Sequence, residues 1–543
     1  MPGFPTLLQN RRPGEPFAPR GDRAAADDRS PVIAWAGALL VFGITVALFT
    51  RFGLDDTLRR DEAIYAYGGQ QWANNGVPFE TSIFDPKGPG AAALLALATL
   101  VARALSVNDL HLMRLFFFLF ACGAVVGVYV LGLWLFESAL AGLAAAITFA
   151  SFEGFALDAL GGPDAKMPGI FFAVVAMALL LRRRWFLGAL AGSLAFLVWQ
   201  PLVIYPAVAV VAAAVAPGRS ERWGRVGQAV AGAAIPVAVT VVYYLLAGSL
   251  HDLFEGSVNF PLTGIQHGNE TLRQRLDVIR HVVTADYGHT RWLFWGGLVL
   301  LPALAGLRLA RGRSQLRDTV RDPFLVVVVL SFLGVVLFSA TDFQGYPDLY
   351  PLLPYAALGI GGAVGLVLTG LRGGAWLRRV AGVVASLAVA ALAVLTWHWY
   401  DVPRARDTNL ILQRARAKKI KAMIGPGETL YAIGDPTSLV LTHRRNPSRY
   451  IYLGSAVGRW MLKHTPGHFA GWQRQVRKAN PAVIVVAGWT GPTEQRTVRW
   501  LRSAYAERYM GHWQVFLTPD AIRRAKVRGI SLNRHPAPGP KPS

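Results

Sequence analysis

Before residue 90 the chain sets down Arg59-Arg60-Asp61-Glu62-Ala63-Ile64-Tyr65, then Trp72 and Gly76, then Asp85-Pro86-Lys87-Gly88-Pro89. An adjacent Asp61-Glu62 pair can do two kinds of chemistry. One carboxylate can take a proton from a hydroxyl while the other orients it or holds a divalent cation. The same residues admit a structural reading, with Asp61 capping the helix that follows and Glu62 near that helix's positive end. A second stretch adds Asp158, Asp164 and Lys166. Lys87 and Lys166 are candidates to neutralise a phosphate that leaves with its charge, or else anchors that snorkel to an interface. Tyr346, Asp348 and Tyr350 form a third group, suited to lining a pocket or to anchoring at a membrane surface. His251, His267, His281 and His289 share one segment, but no pair has metal-ligand spacing, so they read as solvent-exposed side chains. The single cysteine, Cys122, excludes internal disulfides and a Cys-based zinc site.

The elements that must hold these residues are set by composition. Of 543 residues 53% are hydrophobic and only 16% charged, against about 25% charged in soluble proteins. Apolar runs of bilayer-spanning length exclude a soluble enzyme. The runs are 31–50, 115–136, 139–157, 168–181, 185–199, 201–217, 226–248, 292–307, 323–340, 349–370 and 380–399, with 89–106 as a further apolar stretch. No small-residue cleavage site follows the first run, so it reads as a membrane helix and not a removed signal. Arg-rich connectors at 182–184, 219–225, 308–321 and 372–379 alternate with acidic connectors at 52–113, 158–167, 249–290 and 341–348. The positive-inside rule puts the basic set in the cytoplasm and the acidic set outside. That parity holds only if 89–106 lies at the outer interface.

The expected fold is therefore a polytopic α-helical membrane protein of about eleven transmembrane helices with a small C-terminal extracytoplasmic α/β domain. Residues 1–30 are read as a disordered cytoplasmic N-terminus, 31–400 as the membrane domain with its first outer loop at 52–113, 401–530 as the α/β domain, and 531–543 as a disordered tail. In the α/β part, strand-length runs Thr429–Ile433, Tyr450–Leu453, Ala482–Ala487 and Trp513–Leu517 alternate with helix-like stretches Arg404–Met423, Phe469–Asn480 and Thr493–Tyr505. The net charge of +23 is concentrated in this last quarter. An outward position disfavours nucleic acid as its partner and favours anionic lipid headgroups or phosphate-bearing envelope polymers. Asn269-Glu270-Thr271 fits a glycosylation sequon.

The order span, Asp61-Glu62-Ala-Ile-Tyr65, Trp72, Gly76, Asp85-Pro-Lys87-Gly-Pro89, interfacial helix resembles the first outer loop of GT-C superfamily glycosyltransferases. It is most similar to the branch of protein O-mannosyltransferases and aminoarabinose lipid A transferases, including polyprenyl-phosphate-mannose-dependent mannosyltransferases. The resemblance extends through Gly161-Gly-Pro-Asp164-Ala-Lys166-Met-Pro168 and Phe343-Gln-Gly-Tyr346-Pro-Asp348-Leu-Tyr350-Pro-Leu-Leu-Pro354, and covers roughly residues 31 to 400. It implies a GT-C-like fold and transfer of a sugar, with mannose first in line, from a polyprenyl-phosphate donor at the outer face with inversion. It implies Asp61 as general base with Glu62 beside it, and Lys87 on the donor phosphate. Asp164 falls near the family's second-loop acidic or amide position, and Tyr65, Lys166 and Tyr346 complete the expected substrate-binding set. The acceptor would be an envelope glycan, a glycolipid or a protein. No metal ligand is assigned, and a divalent cation at the Asp-Glu pair stays open. The sequence departs from the pattern at Lys166, where many relatives carry a carboxylate, and at Trp199-Gln200-Pro201, where they carry Lys-Gln or Lys-Pro. A transporter or lipid-linked-sugar flippase is the alternative, and it would place ionisable residues at mid-membrane.

Overall fold

The computed structural model describes residues 30–535, apart from 219, 265–270, 312–321, 342, 344, 371–374, 401–408, 454 and 489–491. The expectations for the N-terminus, for His267 and for Asn269 lie outside the described residues. The chain is mostly helical. α1 (Ser30–Phe49) leads into α2 (Arg60–Asn75), the single turn α3 (Phe79–Ser82) and α4 (Gly90–Ala104). α5 (Asp109–Phe136), α6 (Ala139–Ala150), α7 (Glu153–Gly161), α8 (Lys166–Leu181), α9 (Trp185–Val198) and α10 (Ile204–Val215) follow. Each of the eleven predicted spans is helical. Among the described residues seven helices are long and apolar enough to cross a membrane, or eight if α6 and α7 count as one bent span. α8, α9 and the segment Gln200–Val215 are shorter apolar helices. At 1.5 Å per residue the 14 residues of α9 reach about 21 Å, less than the roughly 30 Å hydrocarbon core.

Two sequence expectations change. The run 139–157 breaks after Ala150, and α7 leaves α6 at an angle of 67°. The break falls at Ser151-Phe152, just before Glu153, and apolar residues resume at Phe155-Ala156-Leu157, so a window of hydropathy averages across it and sees one helix. As a result Asp158 lies in a helix, not in a loop. The described residues of the acidic connector 249–290 also form helices, among them Leu272–Asp286, which opens on a Thr271–Gln274 capping box.

The C-terminal sheet has the order β1-β2-β4-β3, with β1 (Thr429–Ile433), β2 (Pro481–Val486), β3 (Ala506–Met510) and β4 (Trp513–Leu517). β1 and β2 are parallel, and β4 is antiparallel to both β2 and β3. Alternation sorts the strands' two faces. Leu430, Ala432, Val483, Val485, Val515 and Leu517 pack with the main core, and Tyr431, Ile433, Ile484, Val486 and Phe516 pack against Trp472 and Trp500. Tyr450–Leu453 is neither strand nor helix and joins no ladder of the sheet. The edge strand β3, which reads Ala-Glu-Arg-Tyr-Met, escaped the sequence reading because an exposed edge carries polar residues.

Candidate active site

The start of α2 decides what the Asp-Glu pair does. Arg59 is extended, and its backbone N–H donates to Glu62 Oε2 at 2.9 Å. This is the Glu half of a capping box. Glu62 therefore does the capping that the sequence offered to Asp61. The Glu62 carboxyl is buried, and burial pushes its pKa up to about 7 against the pull of Arg59 and Arg114. A Cβ on Gly162 would lie 2.0 Å from Glu62 Oε2, so glycine is required where the chain after α7 closes over this cap.

Asp61, free of capping, turns to the other side of the helix start. Its Oδ2 accepts from Lys87 Nζ at 3.1 Å and its Oδ1 from Arg60 Nε at 3.3 Å. The Asp61 side chain keeps 47% of its exposure and Lys87 keeps 22%. The Lys87 ammonium is the main cause holding the Asp61 carboxyl far below the usual range, with Arg60 and Lys166 assisting against the cost of burial. Burial pulls the Lys87 ammonium down, but Tyr65, Asp61, Asp85 and Asp164 together lift it well above the ordinary lysine value. Lys87 Nζ also stands 5.0 Å from the centroid of the Tyr65 ring, within cation–π range.

The Asp85–Gly90 stretch holds Lys87 by its backbone. Asp85 Oδ1 accepts the Lys87 N–H at 3.0 Å, and Gln200 Nε2 donates to the Pro86 carbonyl at 2.8 Å. A Cβ on Gly88 would meet Leu197 O at 2.5 Å, and one on Gly90 would meet Leu197 C at 2.6 Å. Both glycines thus let the loop lie against the end of α9. Lys166 opens α8, where Asp164 Oδ1 accepts its N–H at 2.7 Å. Lys166 Nζ lies 3.6 Å from Asp348 Oδ1 and 5.3 Å from the centroid of the Trp199 ring. The departure at Trp199 thus supplies an aromatic face for the departure at Lys166.

Asp61, Tyr65 and Lys87 are in direct contact or ring contact, and Lys166 and Asp164 lie within electrostatic reach of Asp61 and Lys87 respectively. Glu62 and Asp158 sit apart in the buried layer. Asp158 binds Arg59 Nη1 at 2.5 Å and the Tyr350 hydroxyl at 2.7 Å. The Tyr346 backbone begins the 3-10 helix Tyr346–Leu352, and its side chain lies outside the described residues. Among the described residues no group of three or more His, Cys, Asp or Glu side chains could hold a metal ion.

Sequence reasoning missed what the C-terminal part brings. The Arg60 guanidinium lies 4.6 Å from the centroid of the Tyr452 ring, and its Nη1 donates to the Gly488 carbonyl at 3.3 Å. Asp435, lifted by burial, is close enough to interact with both Arg60 and Asp61. Contacts between residues about 375 to 430 positions apart leave no local pattern to read. Glu80 was missed too. It is buried in the first loop, hydrogen-bonded by the Tyr244 hydroxyl and by Ser257 Oγ at 3.0 Å. Burial pushes its carboxyl up to about 7.

No protein-family model matches the sequence, and no curated protein matches it. Solved structures do. The apo structure of ArnT from Cupriavidus metallidurans superposes with a TM-score of 0.58 at 14% identity, over 90% of this chain and 98% of that one. The structure of the same protein bound to undecaprenyl phosphate gives 0.55 at 15% identity, over 91% and 98%. The chain has an ArnT-like fold. The polytopic helical membrane fold expected from the sequence is therefore one shared with ArnT, including the α/β part beyond residue 400 that the motif resemblance reached only loosely. At this identity the likeness speaks for the fold, and the chemistry rests on the residues above.

Proposed function

We propose that the protein is an integral-membrane glycosyltransferase that moves a sugar from a polyprenyl-phosphate donor to an extracytoplasmic acceptor, inverting the anomeric centre. Mannose is the first donor sugar to test. The observation that carries this reading is the Asp61–Lys87 pair: a half-exposed carboxylate relieved of capping and held ionised by a lysine. ArnT, whose fold the chain shares, has been solved with undecaprenyl phosphate, which supports a polyprenyl phosphate as the donor's carrier.

Asp61 takes the proton of the acceptor hydroxyl as the acceptor oxygen bonds to the anomeric carbon. The bond from that carbon to the phosphate oxygen breaks, and polyprenyl phosphate leaves with the electron pair, its charge met by Lys87 and Lys166. One displacement with one base inverts the centre. The pairing also times the base. A donor phosphate competes for Lys87 and loosens its hold on Asp61, so the carboxylate becomes more basic as the donor arrives. Glu62 acts as a positioning residue that fixes the start of α2. Tyr65 backs Lys87, and Asp164 fixes the backbone at Lys166.

The test is to incubate the purified protein with a panel of polyprenyl-phosphate sugars and follow donor consumption. Turnover of at least one donor, lost in Asp61→Asn, is the expected result. Turnover by Asp61→Asn at the wild-type rate removes Asp61 as the base. A protein that consumes no donor but moves lipid-linked sugars across vesicles is the flippase instead.

A further inference from the structure

Two helices of the α/β part, His468–Lys478 and Pro492–Ala504, lie side by side on one face of the C-terminal sheet. Trp472 of the first and Trp500 of the second, with ring centroids 5.6 Å apart, join them over Ile484 and Phe516. The other face of the sheet packs with the core that continues into the membrane helices, so the sheet stands between that core and these two helices. Their outer side is cationic. Arg474, Arg477 and Lys478 of the first helix and Arg496 and Arg499 of the second are all exposed. The Arg496 guanidinium lies 4.2 Å from the centroid of the Phe469 ring, and the Arg477 guanidinium 5.9 Å from that of Trp500. Each helix thus rests an arginine on the other's aromatic ring, and the five charges form one surface.

The acids of the α/β part whose side chains are described are engaged elsewhere. Glu428 pairs with Arg524, Glu507 with Arg502 and Asp520 with Arg523, while Asp435 faces Arg60 and Asp61. Among the described residues no carboxylate pairs with any of the five cations. Like charges gathered in this way repel one another and attract an anion. A guanidinium held on a ring is fixed in its plane and still offers its N–H edge. Arg477 and Arg496 are held so, and among the described residues neither spends that edge on a hydrogen bond.

Arginine and lysine side chains donate hydrogen bonds and accept none, so this surface suits a chain that brings negative charge and acceptors together. A phosphodiester polymer does so at every repeat. A polyuronate sets its carboxylates among hydroxyl donors, which find few acceptors here. Single-stranded nucleic acid draws on aromatic rings for base stacking, and Phe469, Trp472 and Trp500 are buried beneath the cations. We propose that this face docks a polyol-phosphate polymer of the cell envelope, a flexible chain joined by phosphodiesters. That the polymer belongs to the envelope rests on the outward placement of this part under the proposed function. The anion preference of the face does not.

Fluorescence anisotropy of labelled poly(glycerol phosphate) with the full-length protein in nonionic detergent tests it. Binding should weaken at least tenfold between about 50 and about 200 mM salt, as the release of counterions from several phosphate contacts requires. Polygalacturonate and single-stranded DNA, each matched in number of charges, should bind at least threefold more weakly. The triple variant Arg474→Gln, Lys478→Gln, Arg499→Gln should lose at least tenfold in affinity with Tm unchanged, since none of the three is in an ion pair among the described residues. The control Lys418→Gln, Lys419→Gln, Lys421→Gln removes the same charge from exposed positions on Leu410–Met423 and should stay within threefold of wild type. Equal losses in the two triple variants would trace binding to net charge and overturn the proposal. So would the absence of binding, or polygalacturonate or DNA held as tightly as the phosphate chain. Donor turnover is not part of the readout, so failure of the transferase reading leaves the result intact.

Discussion

At Asp61 and Glu62, adjacent carboxylates have opposite environments, and each environment has a measurable consequence. Asp61 makes no capping bond, so Asp61→Asn should leave Tm within a degree or two of wild type. It should lower transfer about 100- to 10,000-fold, the usual worth of a general base. Because Lys87 is the chief cause of the low Asp61 pKa, Lys87→Gln should move the acidic limb of kcat/KM upward, toward the ordinary aspartate value of about 4. An unmoved limb would mean that the two side chains do not couple. Glu62 and Glu80 are each pushed from 4.5 up to about 7 by burial. Both carboxyls bind protons more tightly folded than unfolded, so their stabilising effect is full at low pH and is lost as pH rises through about 7. Thermal unfolding in detergent should therefore show a lower Tm at pH 8 than at pH 5.5, and Glu62→Gln with Glu80→Gln should flatten that slope. Asp61 and Lys87 were legible in the sequence as a pair of loop residues. Which carboxylate would cap was not, since either spacing satisfies a helix N-terminus.

The elements around the site act through backbone fit as much as through side chains. Lys87 is carried by a loop whose Gly88 and Gly90 press on the last turn of α9, with Leu197 and Val198 main-chain atoms as the surface they meet. Main chain in a helix cannot step aside as a flexible side chain does. Gly90→Ala should accordingly cost about 1–3 kcal/mol of stability. It should also raise the donor KM by displacing Lys87, as measured by donor titration. A KM at the wild-type value would show that the loop adapts. Long apolar helices were legible because about 20 residues of hydropathy speak for themselves. The 67° break between α6 and α7 was not, because both sides of it are apolar. The Lys166–Asp348 pair was named in the sequence as two separate candidates, and only folding joins helix α8 to the 3-10 helix at 346–352.

Across the whole molecule, the first loop and the C-terminal α/β part behave as one body. Leu58 and Gln413 exchange hydrogen bonds at 2.9 and 3.0 Å, and the Asn446 N–H donates to the Tyr67 hydroxyl at 2.9 Å. The Phe84 N–H donates to the Arg449 carbonyl at 2.8 Å. The strand and helix alternation of this part was readable from its sequence, but its docking on α2 was not, since single long-range hydrogen bonds leave no periodicity. Arg449 is the joint most open to test. Its guanidinium pairs with Asp252 at 2.5 Å and with Glu255, which also accepts from Trp460 Nε1 at 2.8 Å. Trp460 in turn stacks over Phe84 of the first loop. Removing the arginine leaves the nearly buried Glu255 without its counter-charge, and isolating one partner of such a pair costs more than the pair contributes. Asp252 is partly exposed, which reduces the loss, so Arg449→Met should cost about 2–3 kcal/mol. The larger effect should be local. Hydrogen exchange should rise together in Phe79–Ser82 and Ser455–His464, and transfer should fall through kcat because Arg60 loses its fixed partners Tyr452 and Gly488. A uniform loss of protection across every helix would instead mean that Arg449 supports global stability alone. Protection unchanged at Phe79–Ser82 would mean that the two parts are not coupled through this arginine.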